Sequence, residues 1–412
     1  MQYGLIGEKL GHSYSAEIHR AFGAYDYELM SLPPEKLGAF LTHGDFCGLN
    51  VTIPYKKAVI PFCAALSETA RKIGSVNTIR RQPDGTLYGD NTDYAGFAAM
   101  AHRAGIGFAG KRVAILGTGG TSLTAQAVVS DAGAAEMTVV SRTGAVTYAH
   151  LSRAAQAEVL INTTPVGMYP GNDGIPVSLD QFPQCTAVLD VIYNPLRTRL
   201  LSEAAERGMP YAGGLYMLTA QAAKAYEMFC GRSLPDNKLE SVYQMLSASV
   251  CNVVLVGMPG CGKTTIGRML AERMNRTLVD LDAEIEARAG MTVPALFERY
   301  GEPAFRKLEA EAAAEAGKKK GLVIACGGGT ILTAENRAAL RQNGRVYWLQ
   351  RPVEQLETAG RPLSAGQTAL RAMLEYRSPL YALACDVAVA NNGSPAETAE
   401  QILEDFYEAS GH

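Results

Sequence analysis

Short runs of apolar, β-branched residues alternate along this chain with longer stretches whose apolar positions recur at helical spacing. YGLIG (3–7), GLNVTI (48–53), RVAILG (112–117), MTVVS (137–141), VLINTT (159–164), AVLDVIY (187–193), NVVLVG (252–257), LVIACG (322–327) and RVYWLQ (345–350) read as strands. Helical patterns follow at 94–105, 123–134 and 233–246. Strands that alternate with helices predict α/β architecture with parallel sheets. Two strands run straight into glycine turns, VAILGTGGTS (113–122) and VVLVGMPGCGKTT (253–265), which marks two separate nucleotide sites.

At 412 residues the chain exceeds a single ordinary core and calls for two or three domains. The main boundary is expected near residues 247–250, where the helical stretch ends, the small residues SASV read as a linker and a new strand begins. A further division is expected near residues 94–110, between a helix and the strand at Arg112.

Composition narrows the class. Hydrophobic residues make up 47% and charged residues 19%, as in a soluble globular protein. No apolar run reaches the roughly 18 residues of a membrane span, and the amino terminus lacks the basic and apolar regions of a secretory signal. A cytoplasmic protein is expected. Eight cysteines are scattered without a CxxC pair, which argues against disulfide frameworks and zinc sites. The net charge of −3, with both signs interspersed, leaves no basic footprint for nucleic acid. The one charge run, Lys318 to Lys320, reads as a solvated helix-to-strand turn.

The second glycine turn matches GxxxxGK[ST] from Gly257 to Thr264. Backbone N–H groups of Gly260, Cys261, Gly262, Lys263, Thr264 and Thr265 are expected around nucleotide phosphates, with the Lys263 ammonium on the terminal ones and the Thr264 hydroxyl on Mg²⁺. A phosphate loop alone does not separate a small-molecule kinase from a regulatory ATPase. In LVDLD, however, Asp280 and Asp282 end an apolar run, where alternation turns one carboxylate to the metal and the other to a substrate hydroxyl; the bland alternative is a helix-capping acid. Arg306 lies one helical turn from Glu309, which can hold its guanidinium for an anion. The run ACGGGT lets backbone approach a ligand at Gly327, Gly328 and Gly329.

Together these residues resemble shikimate kinase from residue 252 to about 407. The resemblance implies that Asp282 holds the acceptor hydroxyl and acts as base, and that Asp280 supports Mg²⁺. It implies further that Arg306 and Arg377 grip the shikimate carboxylate, that Gly327, Gly328 and Gly329 line its ring, and that Arg361 closes over ATP. The chain departs from the family at LETAGRP, which lacks the arginine pair near adenine, and in a short lid between Pro362 and Arg371. Cys261 reads as a small residue at a variable loop position.

The first glycine turn suits a Rossmann pyrophosphate site at Gly117, Gly119 and Gly120, with Ser122 replacing the usual third glycine and predicting looser packing there. The next strand ends on Ser141, Arg142 and Thr143, a cation with two hydroxyls, which favours NADP over NAD. Outside this unit, Lys56 in NVTIPYKK and Asp93 in GDNTDYAGF can relay a proton to or from a carbonyl oxygen. Asn77 adds an uncharged donor and acceptor, and Ser13 and Ser15 suit a carboxylate.

The motifs HSYSAEIH, NVTIPYK, SVNTI, NTDYAGF, NTTPVGM, DVIYNPLRTRLL and GLYMLTAQAAKAYE resemble shikimate dehydrogenase over residues 3 to about 246. That resemblance makes Lys56 and Asp93 the catalytic pair, gives substrate to Ser13, Ser15, Thr52, Asn77, Tyr193 and Gln221, and sets Gly214 and Met217 near the nicotinamide. Only about twenty residues separate Arg142 from Asn162, so a trimmed crossover is expected.

The expected organisation is a dehydrogenase module at 1–247 and a P-loop kinase module at 248–412. Within the first, a substrate domain takes about 1–96 plus 214–247 and a Rossmann NADP domain about 97–213. The expected activity is NADPH-dependent reduction of 3-dehydroshikimate followed by ATP- and Mg²⁺-dependent phosphorylation of shikimate, with small molecules as partners and neither nucleic acid nor membrane.

Overall fold

The computed structural model describes residues 2–10, 13–23, 25–151, 153–357 and 367–410. Two compact units divide the chain, Met1–Tyr243 and Gln244–His412.

Among the described residues the first unit holds two six-stranded sheets. One runs in the order β2-β1-β3-β5-β6-β4, from β1 (Tyr3–Gly7), β2 (Tyr27–Ser31), β3 (Gly48–Val51), β4 (Ala65–Leu66), β5 (Thr78–Arg81) and β6 (Leu87–Asp90). It is mixed rather than all-parallel, because β5 pairs antiparallel with both β3 and β6. The other sheet is parallel throughout, in the order β12-β11-β10-β7-β8-β9. Its strands are β7 (Arg112–Leu116), β8 (Glu136–Ser141), β9 (Val146–Thr147), β10 (Val159–Asn162), β11 (Ala187–Asp190) and β12 (Tyr211–Ala212).

The helices are α1 (Ser15–Phe22), α2 (Pro34–His43), α3 (Glu68–Ile73), α4 (Asp93–Arg103), α5 (Gly120–Asp131), α6 (Arg199–Glu206), α7 (Leu215–Cys230) and α8 (Lys238–Val250). The stretch 247–250, read as a linker, is the last turn of α8.

The apolar runs of β7, β10 and β11 reflect burial on both faces. Val113, Ile115, Val159, Ile161 and Leu189 pack with Phe97, Met100 and Val128, whereas Ala114, Leu116, Leu160 and Val188 pack with Phe182, Leu200 and Leu201. Alternate side chains of a strand face opposite sides, so a strand covered by helices on both has few polar positions. The trimmed crossover is real. Between β8 and β10 the described residues form β9 and a single 3₁₀ turn, Ala154–Gln156, with no α-helix.

The second unit carries one parallel sheet, ordered β14-β15-β13-β16-β17, from β13 (Asn252–Val256), β14 (Leu278–Asp280), β15 (Val323–Ala325), β16 (Gly344–Gln350) and β17 (Val387–Ala390). Around it lie α9 (Lys263–Arg273), α10 (Leu281–Ala289), α11 (Val293–Lys318), α12 (Ala334–Arg341), α13 (Gln367–Ala384) and α14 (Pro395–Ser410). Helix α11 is broken at Gly301, whose φ of 77° lies in the left-handed region, with Pro303 restarting it. Lys318 ends α11 ahead of β15, matching the turn read from the lysine run.

Candidate active sites

In the first unit a cavity of about 320 Å³ is lined by Ser13, Ser15, Thr52, Lys56, Asn77, Asp93, Tyr193, Gly214, Met217 and Gln221. Residues scattered over two hundred positions of sequence thus meet in one place. Lys56 follows β3 in a turn anchored by buried Tyr55, whose hydroxyl donates to the Leu32 carbonyl at 2.5 Å. Asp93 opens α4, and the preceding Thr92 N–H donates to Asn77 Oδ1 at 2.7 Å. The Lys56 Nζ and Asp93 Oδ2 atoms are 2.5 Å apart, with side chains only 27% and 15% exposed.

Gly96 makes this possible one turn further on. A Cβ there would stand 2.6 Å from the Met217 carbonyl and 2.9 Å from Gln221 Cβ, so only glycine lets α4 approach α7 closely enough to share the cavity. The Thr92 hydroxyl donates to Gln221 Oε1 at 3.3 Å, tying the two helices at the site. Ser13 Oγ accepts from the Ser15 N–H at 3.2 Å and donates to Ser15 Oγ at 3.1 Å, so the serine pair shapes the turn and lines the cavity at once. Tyr14 packs edge-on against Tyr193 at 6.0 Å, and burial raises the pKa of both hydroxyls, that of Tyr14 to about 12.

The glycine turn follows β7. Gly117 has φ 105°, and α5 starts at Gly120 with Gly119 as its cap. A Cβ at Gly119 or Gly120 would meet nothing within 4 Å, so the space before this helix start is open, as a pyrophosphate requires. These residues fit a dinucleotide. Ser122 takes part in the turn itself. It is fully buried, and its hydroxyl donates to the Gly117 carbonyl at 2.7 Å, bracing the loop a glycine would leave unbraced. Ser141 is buried at the end of β8, while Arg142 and Thr143 beyond it are exposed and lie outside the cavity.

In the second unit a cavity of about 510 Å³ gathers Gly260, Gly262, Lys263, Thr264, Thr265, Asp280, Asp282, Arg306, Gly327, Gly328, Gly329 and Arg377. The phosphate loop leaves β13, turns through left-handed Gly260 and Gly262, and enters α9 at Lys263. Lys263 Nζ donates at 3.0 Å to the carbonyls of both Gly257 and Met258, which aims the ammonium across the loop mouth. Cys261 belongs to the loop but its side chain is buried away from the cavity wall. Arg361 lies outside the described residues.

Asp280 caps α10 with one oxygen and keeps the other on the phosphate-loop side. Its Oδ1 accepts from the N–H groups of Asp282 and Ala283 at 3.1 and 3.4 Å, capping α10, while Oδ2 accepts the Thr264 hydroxyl at 2.6 Å. Two hard oxygens side by side at the mouth of a phosphate loop fit Mg²⁺, which takes few protein ligands and completes its shell with water and phosphate. Asp282 reaches solvent on the open side of the cavity. Surrounding protein raises its carboxyl to about 6, helped by Asp280, Glu309 and Glu286 and opposed by Lys263.

Arg306 is clamped. Nη1 donates to Glu309 Oε2 at 2.7 Å, and Nη2 to Glu302 Oε1 at 2.8 Å. Glu309 is 1% exposed and also accepts the Thr330 hydroxyl at 2.8 Å. Burial works against the guanidinium charge, but the two carboxylates outweigh it and the pKa is raised. Arg377 donates to the Gly328 carbonyl at 2.9 Å, and Tyr381 donates to the same oxygen at 2.7 Å, which fixes the glycine run in the cavity wall.

Several lining residues escaped the sequence reading. Asn50 was legible as a lone polar residue in an apolar strand; it accepts the Tyr27 hydroxyl at 2.7 Å and donates to Thr78 at 3.0 Å. Lys9 and Thr121 also line the first cavity, and Glu286, Val293, Phe297 and Glu357 the second. Val293 and Phe297 carried no signal, because apolar residues on a helix read as core. Among the described residues no group of three or more His, Cys, Asp or Glu side chains forms a metal cluster, and no helix is long and apolar enough to cross a membrane.

Two family models match the chain: the shikimate dehydrogenase substrate binding domain at residues 5–79, and shikimate kinase at residues 259–407. The shikimate dehydrogenase (NADP(+)) of Clostridium perfringens (strain SM101 / Type A) is 36% identical over 265 residues, spanning 59% of this chain and 97% of that protein. The one of Clostridium beijerinckii is 38% identical over 259 residues, spanning 58% and 94%. Among solved structures, a chorismate mutase/shikimate 5-dehydrogenase fusion protein from Clostridium acetobutylicum is similar with a TM-score of 0.56 and 36% identity, over 59% of this chain and 96% of that one. Shikimate 5-dehydrogenase from Thermus thermophilus, in complex with NADP(H) and shikimate, gives 0.53 and 30%, over 60% and 99%.

Proposed function

This chain belongs to the shikimate dehydrogenase family and carries a shikimate kinase domain after it, and from that premise we propose that it catalyses two consecutive reactions. The first reduces 3-dehydroshikimate to shikimate with NADPH, and the second phosphorylates shikimate to shikimate 3-phosphate with ATP. The dehydrogenase module takes residues 1–247, with a substrate lobe of about 1–96 plus 214–247 and an NADP lobe of about 97–213, and the kinase module takes 248–412. The protein works in the cytoplasm on small molecules.

The observation that carries the first activity is the 2.5 Å Lys56–Asp93 pair in the wall of the first cavity. When bound, NADPH supplies the hydride. The Lys56 ammonium gives a proton to the carbonyl oxygen, Asp93 holds the lysine in place, and the neutral amine left behind regains its proton from solvent. Ser13 and Ser15 hold the substrate carboxylate, and Thr52, Asn77, Tyr193 and Gln221 its hydroxyls, with Gly214 and Met217 beside the nicotinamide. Gly117, Gly119 and Gly120 receive the pyrophosphate, and Ser141, Arg142 and Thr143 the 2′-phosphate.

In the second cavity Asp282 accepts the proton of the acceptor hydroxyl. Arg306 and Arg377 grip the carboxylate, and Gly327, Gly328 and Gly329 flank the ring. Lys263 faces the terminal phosphates. Thr264 and Asp280 would hold Mg²⁺, which supplies charge neutralisation when bound, and Arg361 covers the nucleotide. Positioning and charge neutralisation account for most of such catalysis. The hydroxyl made in the first reaction is the nucleophile of the second, which is a chemical reason to carry both sites on one chain.

The test is a single assay of the full chain with 3-dehydroshikimate, NADPH, ATP and Mg²⁺, following NADPH loss and shikimate 3-phosphate. Both should proceed, and NADH should substitute poorly. Phosphorylation of added shikimate without NADPH consumption would remove the first half of the proposal, and the converse would remove the second.

A further inference from the structure

The carboxylate of Asp190, at the end of β11, is fully buried and belongs to no group assigned above. Oδ2 accepts from Asn162 Nδ2 at 3.1 Å and from the Thr198 hydroxyl at 2.8 Å, and Oδ1 accepts the Ile192 N–H at 3.0 Å. No cation pairs with it among the described residues, and burial holds its carboxyl up at about 6. A buried carboxylate held by neutral donors alone is an expensive arrangement, and apolar packing would be more stable.

The three donors lead to both halves of the dehydrogenase site. On one side Asn162 Oδ1 accepts the Thr164 N–H at 3.0 Å and the Thr164 hydroxyl at 2.7 Å. The neighbouring Thr163 donates to the Leu116 carbonyl at 2.6 Å, directly before the glycine turn. On the other side the Ile192 N–H lies between Val191 and Tyr193, both of which line the substrate cavity, and the Ile192 carbonyl accepts the N–H of Gly214 at 2.8 Å. Thr198 caps α6 by accepting the Leu201 N–H at 3.3 Å, so the loop from Val191 to Thr198 is fastened at both ends through one side chain.

We infer that Asp190 is a positioning residue for the dehydrogenase reaction, holding the cofactor turn and the Tyr193 loop in one fixed relation. The inference rests on the dehydrogenase reading of this unit. Asparagine at 190 has the same shape but offers one acceptor oxygen in place of two, so its amide N–H faces a donor on either side it takes and at least one of the three bonds must break.

The full chain is assayed for shikimate oxidation with NADP⁺, as wild type, Asp190→Asn, Thr198→Val and Thr198→Ser. Wild-type turnover tests the reading itself, and the variants test the inference. Asp190→Asn is expected to lower kcat/KM about tenfold, with KM raised for both shikimate and NADP⁺, while the kinase reaction of the same sample is unchanged. Thr198→Val should reproduce part of the loss and Thr198→Ser should restore it, which covers the case that Asp190→Asn fails to fold. Wild-type KM and kcat in Asp190→Asn with only a lowered Tm would reduce Asp190 to a structural role and overturn the inference. Wild-type kinetics in Thr198→Val would do the same.

Discussion

Gly329→Ala presses on the Arg306 guanidinium in the kinase cavity. The backbone at Gly329 has φ −104° and ψ −3°, which any residue adopts, so the substitution introduces no backbone strain. What it introduces is a Cβ 2.5 Å from Arg306 Nη1, 2.8 Å from Nη2 and 2.9 Å from Cζ. Ordinary contact between such atoms is about 3.5–4.0 Å, so the guanidinium must retreat by about 1 Å or the loop must move away by as much. The retreat is opposed by Glu302 and by buried Glu309, itself held by Thr330. Losing one charge-assisted hydrogen bond costs about 1.5–3 kcal/mol. If the carboxylate grip of Arg306 is lost with it, kcat/KM for shikimate falls roughly 10- to 100-fold. Phosphorylation is followed by ADP release at varied shikimate, with thermal unfolding to confirm the fold and dehydrogenase turnover as an internal control. A kcat/KM within twofold of wild type would refute the assignment of Arg306 as the anion grip.

Four other outcomes follow from the same geometry. Asp282 carries a carboxyl raised to about 6, so it protonates at higher pH than an ordinary aspartate, and the base form needed for phosphoryl transfer is lost as pH falls through about 6; a kinase pH profile should show this acid limb, and Asp282→Asn should abolish it along with most activity. Lys56→Ala should lower the dehydrogenase kcat roughly 10²- to 10⁴-fold without touching the kinase, read in parallel assays of one preparation. Arg142→Ala should raise KM for NADP⁺ about tenfold or more and leave KM for NAD⁺ nearly unchanged, which steady-state kinetics with the two cofactors separates. Ser122→Gly deletes the bond to the Gly117 carbonyl and should cost about 1 kcal/mol, a fall in Tm of roughly 2–4 °C by calorimetry.

How much of this was legible depends on what each residue does locally. The strands at 112–116 and 252–256 announced themselves because both faces are buried, which leaves an unbroken apolar run ending in a turn that only glycine can make. By contrast β5 (TIRR) and β6 (LYGD) are half polar, and antiparallel pairing of β5 with β3 and of β6 with β5, rather than their own composition, makes them strands. Small residues hid the last turn of α8 for a similar reason, since a short run of Ser and Ala lacks the apolar spacing that marks a helix. At the sites, Lys56, Asp93, Lys263 and Asp282 were visible as charges fixed within motifs. Asp190 was visible only as a letter in a motif, because its burial and its three donors come from residues that the sheet brings together.

The capping and site readings of a polar residue at an element's end are treated as rivals when only the sequence is available, yet one side chain can cap an element and face a cavity at once. Asp280 spends one oxygen on α10 and turns the other to Thr264. Ser13 closes its own turn and faces the first cavity. The reason is geometric. In parallel α/β sheets, the carboxyl ends of strands and the amino ends of helices form the rim where ligands bind, so the backbone N–H groups that need caps stand beside the groups that need substrates. A side chain with two acceptors, or with a donor and an acceptor, serves both, and the cap holds it in the orientation the chemistry uses. The bond that looks structural is therefore what positions the functional atom.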